Sequence, residues 1–400
     1  MNLLKWLYRK FTFKYLLNFE QEDPSVEQWN AFLSKFPKPK DDYDLSYYKY
    51  LCRMYYFSKT YRLIANLVSL VAYLLIIPVL LRKRPDLVVS RKNNFVLVES
   101  LNVGYEDILP PKLKDKYGEM FVVKKPTYKE WYLNKNAKSI LFKSILKRPF
   151  SWHYNIMLFK ELSMYSQLLE KYNTKAIVVY VNERNIASSL VSMLCERQYV
   201  DFVTFMHGDY ILQLIQAYMR FTKFYAWDEH YIEMFVNDLN CPQEQFEVYL
   251  PGKFKKEKFK ELKTYEYFVT YYFGGESISR IKSIAKVFKE LQRKGLNCKI
   301  RPHPRRSNMP LIKKEFKNFE IENTDEIKLE DSMLSSEYIM ALNSTVLLEG
   351  FYQGKKVIID NVSDYNRYSN LKKRRYIMLS NNHYLLTNVL KEINIDYEDL

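Results

Sequence analysis

The chain has 400 residues, 48% of them hydrophobic, with 35 tyrosines, 25 phenylalanines, nine glycines and fourteen prolines. That length exceeds what one hydrophobic core usually serves, and the aromatic content excludes a disordered polyelectrolyte, so a globular chain of two lobes is expected. A formal net charge of +16 asks for an anionic partner, whether nucleic acid, a phosphate-bearing small molecule or the negative face of a membrane.

The first nineteen residues, MNLLKWLYRKFTFKYLLNF, mix Lys5, Arg9, Lys10 and Lys14 with large apolar side chains and have no small-residue cleavage site. They predict an amphipathic surface helix rather than a signal peptide. Leu63 to Leu81 has only Asn66 and Ser69 as polar members, is interrupted at Pro78 and is closed by Arg82-Lys83-Arg84. Its length reaches the lower limit for a bilayer core of roughly 30 Å, so a buried or interfacial helix, a bilayer span and a partner contact all remain open readings. In each, the basic flank suits an anionic cytoplasmic leaflet. Residues 1–85 are therefore read as a helical, membrane-associating segment on the cytoplasmic face, with a single span at 63–81 as one of its forms.

After Pro85 the pattern changes to short apolar runs separated by polar turns. Strands are predicted at Phe95–Glu99, Glu119–Val123, Lys175–Val181 and Val200–Met206, with a helix over Asn185–Arg197. The β-branched run KAIVVYV is the clearest, since it suits a strand buried on both faces. Strand, helix and strand within about thirty residues make a parallel crossover unit. Pro251-Gly252-Lys253, followed by a lysine-rich run, reads as a connector. Beyond it the alternation restarts: strands at Tyr267–Phe273, Asn297–Arg301, Phe319–Glu322, Glu337–Leu342 and Lys356–Asp360, and helices at Ser277–Lys294, Leu329–Ser335 and Val346–Gln353. Two βαβα blocks predict two doubly wound α/β domains, 86–252 and 253–400, facing a cleft, the last helices being free to return to the first domain. Cys52, Cys195, Cys241 and Cys298 have no metal or CxxC spacing and read as unpaired buried thiols of a reducing, cytosolic compartment.

The chemistry-bearing motifs fall at the carboxyl ends of these strands, where ligands bind in such sheets. KIRPHPRR places His303 between two prolines, which hold it in extended backbone beside Arg301, Arg305 and Arg306. Such a donor suits phosphate. Asn343-Ser344-Thr345 breaks a strand and opens a helix, aiming hydroxyls and free N–H groups at an anion, although helix capping alone uses the same residues. Glu349 lies one helical turn after Thr345, where a carboxylate could meet ribose hydroxyls or stay structural. Gly274-Gly275 lets backbone approach a nucleotide closely, but neither GxGxxG nor a P-loop pattern is present. His207-Gly208 and Glu183 are the two candidate general bases, each weighed against an ordinary loop role. Trp227-Asp228-Glu229-His230 is a poor metal site, because consecutive residues point in different directions. Lys138–Lys147 is a short basic amphipathic stretch, read as the solvated face of a packed helix or as a membrane contact.

Taken together, His-Gly in the first lobe, Arg-Pro-His-Pro in the second and Asn-Ser-Thr opening a later helix resemble bacterial transferases of surface-polysaccharide synthesis with the two-lobed GT-B fold. The second lobe is similar to sialyltransferases and polysialyltransferases, and the order of motifs is similar to the CDP-glycerol glycerophosphotransferases, over roughly residues 86 to 360. Glu106-Asp107 is followed by Ile108 where the sialyltransferases carry a glycine, and Leu-Asn-Ser-Thr stands where the glycerophosphotransferases carry Asp-Tyr-Ser-Ser. The resemblance implies that His303, Ser344 and Thr345 hold the donor phosphate. The expected activity is transfer of a sugar from a nucleotide-activated donor to a lipid-linked or surface-polysaccharide acceptor at an anionic membrane. No cofactor beyond the donor and no metal is expected, since Arg301 and His303 would neutralise the leaving phosphate while His207 or Glu183 takes the acceptor's proton. Phosphopolyol transfer from a CDP-alcohol is the alternative. A basic nucleic-acid-binding or scaffold protein is the less favoured one, since no RNP or helix-turn-helix signature is present.

Overall fold

The computed structural model describes residues 25–86, 95–99, 108–180, 182–254 and 264–396. The predicted N-terminal amphipathic helix, Glu106-Asp107 and most of the lysine-rich run after Lys253 lie outside these. The chain divides into two units, Met1–His207 with Leu212–Leu250, and Gly208–Ile211 with Pro251–Leu400.

Unit 1 is built on six parallel strands: β1 (Phe95–Glu99), β2 (Met120–Lys124), β3 (Ala176–Tyr180), β4 (Asp201–Phe205), β5 (Lys223–Ala226) and β6 (Phe246–Val248), in the order β2-β1-β3-β4-β5-β6. All five side chains of β3 are buried, as the β-branched run requires of a central strand covered by helices on both faces. Helix Ser188–Glu196 joins β3 to β4 and carries a buried apolar side. Helix Asp42–Met54 packs on it, tied by Ser46 Oγ to the Ile186 carbonyl at 3.0 Å and by Lys49 Nζ to the Ile215 and Ala217 carbonyls at 3.2 and 3.3 Å. The N-terminal helices are thus part of unit 1. β5 and β6 escaped the sequence reading because KFYA and FEV are too short to show a period.

Lys59–Leu80 forms a 22-residue rod. Its one irregularity, a 3₁₀ turn at Tyr73–Leu75, sits just ahead of Pro78, whose missing N–H removes an i→i−4 hydrogen bond. The pattern of exposure is inverted. Leu63, Ile64, Leu67, Val68, Leu70, Val71, Leu74, Leu75, Ile77, Leu80 and Leu81 are exposed, while Ser69, Ile76 and Val79 are buried and Asn66 faces the protein. The rod packs along helix Trp152–Tyr172, on which helix Lys135–Lys147 also lies.

Unit 2 has a second set of six parallel strands: β7 (Tyr267–Tyr272), β8 (Cys298–Arg301), β9 (Glu320–Ile321), β10 (Ser336–Ala341), β11 (Lys356–Ile359) and β12 (Tyr384–Leu385), in the order β12-β11-β10-β7-β8-β9. Its core joins Val269, Tyr271 and Ile300 of the sheet to Ile281, Ile284 and Phe288 of helix Ile278–Arg293. Helix Thr345–Tyr352 lies so close to β10 that a Cβ on Gly350 would meet Ile339 Cδ1 at 2.2 Å. Gly350→Ala is expected to lower stability by about 1–3 kcal/mol through overpacking, read as a fall in denaturant midpoint at unchanged slope. Two doubly wound parallel α/β units are expected from the sequence, and two are observed. All four cysteines are buried and free.

Candidate functional site

Counted from β7, the strands of unit 2 run 3-2-1-4-5-6, the order of dinucleotide-binding sheets. The strand order reverses between the parallel neighbours β7 and β10, so their carboxyl ends form the crevice where ligands of such sheets bind. Gly274-Gly275 follows β7, His303 follows β8, Asn343-Ser344-Thr345 follows β10 and Asp360 follows β11. The topology therefore brings the predicted motifs of this unit to one edge of one sheet.

The contacts knit them together. Ser307 Oγ accepts the His303 N–H at 2.7 Å and lies 3.4 Å from the Gly274 carbonyl, to which it donates. A Cβ on Gly275 would be 3.9 Å from that of Arg306. His303 Nδ1 accepts the Arg305 N–H at 3.1 Å. Burial and the charges of Arg306 and Arg305 push this imidazole below its ordinary value, so at neutral pH it is uncharged. With Nδ1 accepting, its proton sits on Nε2, which is left as a donor. Arg305 and Arg306 are exposed and make no ion pair among the described residues.

On the other side of the crevice, Ser344 caps helix Thr345–Tyr352 by accepting the Val346 N–H at 3.3 Å, and its own N–H goes to Tyr376 Oη at 3.3 Å. Thr345 Oγ1 accepts the Asp209 N–H at 3.4 Å, which leaves its hydroxyl hydrogen to donate. The Thr345 N–H is the first orphan donor of the helix. Arg367 reaches the Asn343 side-chain oxygen at 3.5 Å.

Glu276, Arg280 and Asp360 form the floor, and the sequence reading missed them. Glu276 accepts the Gly274 N–H at 2.8 Å and stands 4.0 Å from Arg280. Arg280 is buried and donates to Tyr271 Oη at 3.0 Å and Ser363 Oγ at 3.4 Å, with Asp360 at 4.0 Å. Asp360, fully buried, accepts from Tyr271 Oη at 2.9 Å, from the N–H groups of Val362 and Ser363 at 3.1 and 2.9 Å, and from the Ser363 hydroxyl. The signal for this floor was its place at the strand ends, together with the i,i+4 spacing of Glu276 and Arg280.

Two predicted residues lie elsewhere in role. Arg301 is bound to buried Glu322 at 2.8 Å and to the Ile327 carbonyl at 2.9 Å, and Lys299 reaches the other Glu322 oxygen at 2.5 Å. Both terminal nitrogens of the Arg301 guanidinium are thus committed inside the unit, and among the described residues near these motifs Arg305, Arg306 and Arg367 are the cations left for an anion. Glu349 is buried inside the unit; its charge is a minor contributor, behind burial and Glu322, to the raised proton affinity of the Tyr272 hydroxyl.

In unit 1, His207 follows β4 and packs edge-on against Tyr180, with ring centroids 5.4 Å apart. Burial lowers its proton affinity, the charge of Glu183 raises it and Arg184 lowers it again, with burial prevailing. Glu183 is itself buried, 3.9 Å from Arg184. Because the folded protein depresses the His207 value, its contribution to stability is complete above the unfolded value of about 6.5 and is lost as pH falls toward the folded one. His207→Gln is therefore expected to flatten the acid side of the stability profile, measured as Tm between pH 7 and 5. Asp228 of the Trp227–His230 cluster is a helix cap accepting the His230 N–H at 2.8 Å. Asp42 and Asp44, two apart on helix Asp42–Met54, face Arg220 at 3.4 Å and Arg148 at 3.1 Å respectively.

No protein-family model matches the chain, and no curated protein matches it. Solved structures do. The chain is similar to a glycosyltransferase from Rickettsia africae ESF-5, at 14% identity over 68% of this chain and 79% of that one, with a TM-score of 0.41. It is similar to the UDP-GlcNAc 2-epimerase from Neisseria meningitidis bound to UDP-GlcNAc, at 12% identity over 67% and 82%, TM-score 0.41. A third is the wall teichoic acid polymerase TagF with CDPG, at 12% identity over 78% and 80%, TM-score 0.43.

Proposed function

We propose that the protein is a glycosyltransferase that moves a sugar from a nucleotide-activated donor to a lipid-linked or surface-polysaccharide acceptor, without a metal. The observation that carries this reading is His303, its Nδ1 engaged by the Arg305 N–H, at the carboxyl end of the same sheet as the hydroxyls that open helix Thr345–Tyr352. The acceptor oxygen attacks the anomeric carbon, the bond from that carbon to the phosphate oxygen breaks, and the electron pair leaves on the phosphate. His303 Nε2–H, the Thr345 hydroxyl and N–H, and the guanidinium groups of Arg305, Arg306 and Arg367 stabilise the charge that develops there. His207, uncharged at neutral pH and backed by Glu183, takes the acceptor's proton. Gly274 and Gly275 admit the nucleotide close to the backbone.

The test is a panel of UDP-, GDP- and CMP-sugars and CDP-alcohols, followed by thermal unfolding and product analysis. One donor class is expected to stabilise the protein by about 2.7 kcal/mol at a hundred times its dissociation constant. A glycosidic product supports sugar transfer. A new phosphodiester supports the alternative, phosphopolyol transfer, which would use the same grip on phosphate. If no activated donor shifts the melting curve while oligonucleotides bind with a steep salt dependence, the enzyme reading fails.

A further inference from the structure

We propose that unit 1 docks on an anionic lipid surface with the Lys59–Leu80 rod lying in the plane of the membrane rather than crossing it. The inference is independent of the chemistry proposed for unit 2. A helix of a water-soluble unit turns its apolar stripe inward. Here the stripe marked by Leu67, Leu74 and Leu81 faces outward, while Asn66 faces the protein, its amide bonded at 3.0 Å to both the Phe150 carbonyl and the His153 N–H. Large apolar side chains exposed together along one helix mark an interaction site, unlike the scattered single apolar residues of an ordinary soluble surface.

The rod is fastened along its length. Besides Asn66 near its start, Tyr128 Oη donates to the Leu75 carbonyl at 3.2 Å and Lys138 Nζ to the Leu80 carbonyl at 3.0 Å. Arg82 donates to the carbonyls of Tyr128 and Trp131. A helix held at both ends to the same folded unit cannot insert end-on without tearing these contacts, but it can sink one flank into an interface. Helix Lys135–Lys147 runs back beside it, since Lys138 meets the Leu80 end while the segment after Lys147 meets Asn66. It adds exposed Phe142 and Leu146, and the turn after it adds Phe150, at 63%, 64% and 78% exposure.

Charge chooses the occupant. Neither 59–85 nor 135–150 contains an acidic residue, and Lys59, Lys83, Lys135 and Lys143 are exposed around the apolar stripe, while Arg84 pairs with Glu170 at 2.5 Å. A second copy of this surface would bring like charges together, whereas an anionic leaflet is attracted at about 1 kcal/mol per basic residue near it, and the leucines supply the rest.

Vesicle flotation of the full chain tests this, using phosphatidylcholine alone and phosphatidylcholine with phosphatidylglycerol. Binding is expected to the mixed vesicles, reduced by salt, released by alkaline carbonate, and weakened about tenfold or more in Leu67→Glu/Leu74→Glu. Circular dichroism and the denaturant midpoint of that variant, expected to match the parent, show that it folds. Undiminished binding by the folded variant would overturn the proposal, as would resistance of the parent to carbonate, which indicates a crossing helix. A lipid-free dimer that the double variant dissociates, with no vesicle binding by the parent, would overturn it too.

Discussion

His303→Ala is expected to lower turnover by roughly 10²–10³, the usual cost of removing one preorganised donor to a developing oxyanion. The fold is expected to survive. The imidazole is only partly buried, and among the described residues its ring bond is the Arg305 N–H it accepts, worth about 1 kcal/mol. The loss should fall on kcat more than on KM, because charge accumulates on the phosphate only as the bond to the sugar breaks. His303→Asn, whose amide can donate from a similar position, is expected to restore part of it. Steady-state kinetics with the donor that stabilises the protein decides the matter. An alanine variant within a few-fold of the parent would remove His303 from the reaction.

The largest effect on stability is expected at Glu322. Its side chain is fully buried between Lys299 and Arg301, which are 4% and 11% exposed. Glu322→Ala leaves two buried cations without their shared counter-ion, and breaking a buried pair in this way typically costs about 3–5 kcal/mol. Equilibrium unfolding in urea should show that loss as a lowered midpoint. A change under about 1 kcal/mol would mean that Arg301 finds its partner elsewhere, and would return it to the list of phosphate ligands.

Much of unit 2 is legible in the amino-acid sequence. β7, β8, β10 and β11 and the helices Ile278–Arg293, Leu329–Leu334 and Thr345–Tyr352 lie within a residue or two of the positions expected, because buried parallel strands and amphipathic helices carry their periods locally, whereas the short helix Met309–Glu315 was not expected. The motifs after those strands were legible for a related reason: glycine, proline and capping residues mark where a strand stops. Arg301 shows the limit. Its neighbours Pro302, His303, Arg305 and Arg306 made it look like one of a phosphate-binding cluster, yet its guanidinium turns to Glu322, twenty-one residues along the chain. Side chains on adjacent residues of a strand end point to opposite faces, and only the partner strand shows which face holds a carboxylate. Asp360 and Arg280 were hidden in the same way, eighty residues apart in sequence and 4.0 Å apart in space.

The amino-acid order by itself determined two blocks of alternating strands and helices, the excess positive charge, and the places where imidazole, hydroxyl and glycine interrupt regular structure, since each depends on near neighbours. Tertiary structure alone decided the strand order that puts a switch between β7 and β10, the arginines left available for an anion, and the direction in which the leucines of the Lys59–Leu80 rod face. A hydrophobic run has the same composition whether its leucines meet a core or a lipid. What separates the two is which side of the helix the rest of the chain has already occupied.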